Sequence, residues 1–316
     1  MIELRSRLEP RRERLNGEAA PGAFAHLITP AALRFMRCNF PVPLLAEDHS
    51  VQIAGALSHP RIVRLDELRK LPALTITVVT ECAGNWRTLV RPRVTDAEQW
   101  KLGAVSTAQW TGVPLRSLIE LKDTALEVLF TGADGGGQFQ RSLPREAAMD
   151  PRTLLCWEMN GEPIPPVFGG PLRLVVPGWY GMASVKWVER IDAITEPFQG
   201  HFQSERYVYA PRQPVTRVRI KSMFTEISRS RIAGLAWGGA GVARVEVAIG
   251  DRWQEARMVG PNLPHAWRRF ELRWKAPSGR CRLRCRATDL RGEMQPAISR
   301  WNPLGYGANG VQEIEI

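Results

Sequence analysis

The chain has 316 residues, 44% of them apolar and 24% charged, and a formal net charge of +11. That apolar share excludes a disordered chain, and the length exceeds one ordinary core, so two domains are expected. The positive balance points to an anionic partner: nucleic acid, a membrane surface, or small acidic substrates and phosphate-bearing cofactors.

In chain order, the opening MIELRSRLEPRRERLNGEAAPG reads as a charged N-terminal arm over residues 1–22. It lacks the apolar core of a secretory signal, and no window approaches the ~18 apolar residues of a membrane span, so a soluble, cytoplasmic chain is expected. RLDELRKLP and PLRSLIELK predict short helices, whereas LTITVVTE and EVLFTGA predict buried strands. RLVVPGWYG reads as a strand running into a glycine turn. This mixture predicts an α+β catalytic domain over residues 23–210.

Around Pro211 and Pro214 the texture changes to strict two-residue alternation, with Val245, Val247 and Ile249, then Phe270, Leu272 and Trp274. Such strands, spaced by turn dipeptides, predict an all-β sandwich over residues 211–316. Cys281 and Cys285 fall on one such strand, roughly 13 Å apart, whereas a disulfide needs Cα atoms within ~7 Å. Their alternation with Arg280, Arg282, Arg284 and Arg286 reads as an inward apolar and an outward basic face. The same arginine row motivates a remote alternative, a basic nucleic-acid-binding protein, although no known binding motif accompanies it.

The five cysteines, at 38, 82, 156, 281 and 285, are odd in number and scattered, which fits a reducing compartment. Cys82 stands out in VVTECAGNWRTLV. A cysteine ending a buried strand is usually a small core residue. Here Ala83 and Gly84 let the backbone pass close to something bulky, and Asn85 and Arg87 add donors beside the thiol. Such surroundings suit a thiolate holding a soft or transition metal. A nucleophilic cysteine would need a histidine partner, and none of the five histidines has a catalytic context; zinc would need a ligand cluster.

ECAGNWR, GAVSTAQWTGVPLRSLI, EMNGEPIPPVFGGPLRLVVPGWYGMASVKW and RYVY resemble, in order and spacing, the sulfite oxidase family of molybdopterin enzymes. GLAWGGAGVARVEVAIGDRWQEA, RATDLRGEMQP and WNPLGYGANGV resemble that family's immunoglobulin-like dimerisation domain. The resemblance implies a molybdenum-molybdopterin cofactor, no haem, a homodimer, and Cys82 as the one protein thiolate on the metal. It implies that Arg37, Arg87, Trp100 and Tyr207 form the substrate pocket, and that Asn39, Gly169, Gly170, Arg173, Ser184 and Lys186 contact the cofactor. A guanidinium fork suits a sulfur oxyanion, and a tyrosine hydroxyl can donate or move a proton. The chain departs from the family pattern at Cys38 and Asn39 (usually Asn-His), at Trp86 and Leu304 (usually Arg), and at Phe168 (usually His).

The expected reaction is oxygen-atom transfer oxidising sulfite to sulfate, with electrons passed to a separate carrier such as a soluble cytochrome. The alternatives are a same-fold reductase acting on a sulfoxide, N-oxide or similar donor, and a cofactor-free relative kept as a scaffold.

Overall fold

A computed structural model describes residues 15–46 and 48–316. Two five-stranded sheets build the first part of the chain. One runs Glu162–Pro163, Leu154–Met159, Val105–Pro114, Leu74–Glu81, with Arg173–Val175 also paired to Leu154–Met159, and every pairing is antiparallel. The other runs Arg61–Arg64, Ser50–Gly55, Val188–Ile194, Glu127–Gly132, Phe139–Pro144. Only Ser50–Gly55 and Val188–Ile194 are parallel, and parallel neighbours need a long crossover. That crossover contains the whole first sheet.

The β-branched run of Leu74–Glu81 pairs along its full length with Val105–Pro114, ending at Glu81 opposite Val105. Cys82 therefore begins where the ladder stops. Helices are few and short: among the described residues the α-helices are Leu65–Leu68, Arg145–Ala148 and His201–Ser204. RLDELRKLP forms its helix, with Leu65 and Leu68 buried. PLRSLIELK does not. It makes one 3-10 turn, Leu115–Ser117, before Leu121 is drawn into an extended bridge with Leu57. Tertiary pairing overrides the local helical spacing there.

The second part of the chain forms two four-stranded antiparallel sheets. These run Lys221–Ile227, Arg231–Trp237, Arg268–Arg273, Arg257–Val259, and Arg252–Glu255, Val242–Ile249, Arg282–Asp289, Gln312–Glu315. One apolar cluster gathers Val245, Val247, Phe270, Leu283, Cys285 and Ala287. Cys281 and Cys285 are buried free thiols, as the alternation predicts. The arginines between them are not a bare basic row. Arg282 and Arg284 both meet Asp251, at 2.6 and 3.1 Å, and Arg286 meets Glu246 at 2.9 Å while lying over the Trp253 ring. Held by these two carboxylates, the three arginines have less free charge to offer a phosphate backbone.

The largest apolar cluster ignores the change of texture near residue 211: it contains Trp86 and Tyr180 as well as Trp237, Trp267 and Tyr306. Residues 1–14 of the anticipated arm lie outside the described residues, whereas Asn16–Gly17 pairs with Met36–Arg37. Among the described residues no helix is long and apolar enough to cross a membrane.

Candidate active site

The turn after Leu74–Glu81 is closely constrained. The Cys82 amide donates to the Ala104 carbonyl at 2.9 Å, and the Cys82 carbonyl accepts from the Asn85 amide at 2.9 Å. A Cβ on Gly84 would lie 2.6 Å from the Arg87 guanidinium, so a larger residue there would have to displace that side chain. Trp86 is fully buried with φ of 68°, a left-handed conformation that is costly for so bulky a residue. Its burial beside Trp237, ring centroids 6.3 Å apart and nearly perpendicular, offsets that cost.

Beneath this turn sits an ion pair with no exposure on either side chain. Lys221 Nζ lies 2.5 Å from Glu81 Oε1 and also donates to the Ala308 carbonyl at 2.6 Å. Trp237 Nε1 donates to Glu81 Oε2 at 2.9 Å, and Asn85 Nδ2 donates to Glu81 Oε1 at 3.0 Å. Every polar partner but Asn85 comes from beyond residue 220. The carboxylate adjoining Cys82 is thus held from the second half of the chain.

Cys82 opens onto a cavity shared with Arg37, Asn39 and Tyr207. Arg37 Nη2 donates to Asn39 Oδ1 at 2.8 Å, and the Asn39 amide lies 3.2 Å from the Tyr207 hydroxyl. Tyr207 stacks on Tyr306 at 5.3 Å. Burial pushes the Cys82 thiol up, while Arg37, the Gly84 amide and Arg87 pull it down. Burial opposes the Arg37 charge, but Tyr207 and Cys82 hold its proton more firmly than usual.

Arg173, Ser184, Lys186 and Phe168 line the rest of the cavity. Arg173 Nη1 donates to the Phe168 carbonyl at 2.6 Å and Nη2 to the Ser184 carbonyl at 3.0 Å. Lys186 Nζ reaches the Arg37 carbonyl at 3.1 Å, Cys38 Sγ at 3.0 Å and the Val167 carbonyl at 3.3 Å. Cys38, where the resemblance leads one to expect asparagine, thus serves as a neighbour of the Lys186 ammonium.

Four sequence-predicted residues do not line this cavity. The Arg87 guanidinium turns toward the second half of the chain, donating to the Leu304 carbonyl at 3.0 Å and the Glu98 carbonyl at 2.5 Å, and lying over the Tyr306 ring. It acts on Cys82 through charge at a distance. Trp100 packs in a buried cluster with Phe35, Cys82 and Ala104, behind the thiol. Gly169, with φ of 104°, makes room for the Lys186 stem, which a Cβ would meet at 2.8 Å. At Gly170 a Cβ would collide with the Ile164 carbonyl. Both glycines serve the backbone behind the cavity.

Two charged cavity residues escaped the sequence reading, Arg34 and Asp134. Asp134 sits in the glycine-rich GADGGGQ turn after Glu127–Gly132, and that punctuation around a carboxylate was the available signal. Its Oδ1 is buried without a partner, and burial pushes the carboxyl up to about 6 against the pull of Lys186. A raised carboxyl stabilises the fold while it keeps its proton. That contribution is complete below the ordinary carboxylate range and disappears as pH rises through about 6. At neutral pH the buried charge costs on the order of 3 kcal/mol. Asp134→Asn in the cofactor-free protein is expected to raise the melting midpoint at pH 7.5 and leave it unchanged near pH 4, measured by scanning calorimetry; an equal shift at both would contradict this account.

Residues 39–202 match a family model described as the oxidoreductase molybdopterin binding domain, and residues 206–316 match the Mo-co oxidoreductase dimerisation domain. The chain is 32% identical to mitochondrial sulfite oxidase of Rattus norvegicus and 31% identical to that of Homo sapiens, over 92% and 95% of its own length. It spans 61% and 64% of those relatives. It is also 29% identical to an inducible NADH nitrate reductase of Glycine max, over 89% of this chain and 38% of that one. The crystal structure of the sulfane dehydrogenase SoxCD from Paracoccus pantotrophus superposes with a TM-score of 0.87 at 28% identity, covering all of this chain and 90% of that one.

Proposed function

Because the chain belongs to the sulfite oxidase family of molybdopterin enzymes, we propose that it is a molybdenum-dependent oxidoreductase of oxygen-atom transfer and oxidises sulfite to sulfate at the cavity of Cys82. The observation that carries this reading is one thiol and four cations, Arg34 and Arg173 buried and Arg37 and Lys186 half-buried, around a single cavity. The residues fit the cofactor chemically. Among the described residues no three His, Cys, Asp or Glu side chains gather to hold a metal, so a metal on Cys82 draws its other ligands from outside the protein, as a pterin dithiolene provides. Asp134 Oδ1 and the Arg34 donors, buried without partners, await groups of a polar ligand.

When bound, the molybdenum cofactor supplies the oxygen atom and takes up the electron pair. The chain's own residues bind and orient. Cys82 is the protein thiolate; Arg173, Ser184, Lys186, Asn39 and Asp134 hold the pterin. Arg37, its Nη2 aimed by Asn39, receives the sulfite oxyanion, and Tyr207 offers a hydroxyl proton beside it. Arg87 and Trp100 support the thiol turn from behind. Electrons leave to a separate carrier such as a cytochrome. We also propose that residues 211–316 form an immunoglobulin-like sandwich that pairs two copies of the chain, and that residues 23–210 are the catalytic domain.

The reverse direction, reduction of an oxygen-atom donor, is the second reading, favoured by the similarity to nitrate reductases and by Arg87 being drawn away from the cavity. Protein from a host that makes the pterin decides between them. Sulfite-dependent reduction of ferricyanide supports the first; turnover of nitrate or a sulfoxide by a reduced dye, without sulfite activity, supports the second.

A further inference from the structure

Arg34 is a buried cation with nothing to balance it. It follows the 3-10 turn Ala31–Leu33 and is only 3% exposed. Nε and Nη1 have no hydrogen-bond partner, and among the described residues no carboxylate pairs with the guanidinium. Its surroundings are aromatic, with the guanidinium carbon 5.4 Å from the Trp110 ring centre and 5.5 Å from that of Phe168. The charged group that bears on it is another buried arginine, Arg173, itself 4.6 Å over the same Trp110 ring. Burial and that like charge press Arg34 down to about 9, and burial presses Arg173 down to about 10.

Unpaired buried charges are costly, and two side by side are costlier. A fold retains such a pair where an anion completes it. Both arginines line the cavity of Cys82 and share the Trp110 ring, whereas Arg37 is bonded to Asn39, the neighbour of Tyr207. The cations of the cavity therefore fall into two groups. Arg37 serves the thiol end, and Arg34 with Arg173 forms a second anion seat. At that seat Arg173 already spends Nη1 and Nη2 on the carbonyls of Phe168 and Ser184, and Lys186 has three acceptors of its own. Arg34 is the member with free donors.

We propose that Arg34 binds the phosphate monoester of the pterin cofactor, its guanidinium, two of whose nitrogens have no protein partner, donating to the phosphate while Trp110 and Phe168 hold the guanidinium plane. This rests on the molybdopterin reading of the cavity. It also explains Phe168 in a position where the resemblance leads one to expect histidine. The donor is supplied from Arg34, and the aromatic face supports it.

The test uses inorganic phosphate and cofactor-free protein from a pterin-deficient host. Phosphate is expected to raise the thermal midpoint of the parent, and Arg34→Met is expected to weaken that response by about tenfold or more in phosphate concentration. Without phosphate, Arg34→Met is expected to melt no lower than the parent, because an uncompensated charge has gone. Arg34→Gln serves as the second variant. Equal phosphate response in parent and variants overturns the proposal. So does a response that persists in Arg34→Met and disappears in Arg37→Met, which would put the phosphate at the thiol end. Molybdenum content of parent protein from a pterin-producing host tests the underlying reading separately. Metal-free parent with an Arg34-dependent phosphate response overturns the cofactor assignment alone, and metal-loaded parent with an Arg34-independent response overturns only the role of Arg34.

Discussion

Cys82→Ser is expected to leave the fold and the bound pterin in place while lowering sulfite turnover by about a thousandfold, the scale seen when a group touching the reacting centre is lost. On the proposed assignment the pterin stays, because the residues that would hold it, Arg34, Arg173, Ser184 and Lys186, line the cavity and are all remote from the thiol turn in sequence. Turnover falls because a serine hydroxyl is a harder donor with far less tendency to ionise than a thiol, and donor softness governs what the site does with a transition metal. The cost in stability is small: the Cys82 backbone bonds to Ala104 and Asn85 persist in the serine variant. Steady-state kinetics with sulfite, read beside pterin fluorescence and metal content, checks all three statements. A serine variant within tenfold of the parent would remove Cys82 from the reaction.

The second large effect concerns Lys221. Lys221→Met is expected to destabilise the protein by about 3–5 kcal/mol, because it leaves the Glu81 carboxylate buried with no cation. Glu81 keeps the Trp237 and Asn85 hydrogen bonds, but these are donors without charge. The double variant Glu81→Gln/Lys221→Met should recover much of the loss, since it buries no ion. Urea denaturation of the three proteins at one pH measures the difference. A single variant within 1 kcal/mol of the parent would mean that the pair is not buried as described.

Much of the sheet framework was legible in the residues. The β-branched LTITVVTE could be little else than a strand, and the strict alternation after residue 211 matched strands whose inward residues fill one cluster. PLRSLIELK misled because its helical spacing is overruled by the bridge between Leu121 and Leu57, a contact far away in sequence. At the site, motif position brought Cys82, Arg37, Asn39, Arg173, Ser184, Lys186 and Tyr207 to one cavity. It could not tell that Arg87 faces Leu304 and Tyr306, because the direction of a guanidinium is fixed by partners more than two hundred residues later. Arg34 was invisible for a similar reason: an arginine three residues before Arg37 reads as a surface charge until Trp110 and Phe168 close over it.

Arg87 has one further consequence. A side chain that begins three residues past the Gly84 of the thiol turn ends on the backbone of Leu304, and Tyr207 of the pocket leans on Tyr306. The halves of this chain are therefore not interchangeable modules. A chimera that joins the first two hundred residues to the C-terminal half of a relative would inherit a pocket with its rear wall altered, unless the graft also carried Lys221, Trp237 and the loop from Leu304 to Ala308. Recombination among such enzymes should tolerate crossovers at the outer strands far better than a crossover at the apparent boundary between domains.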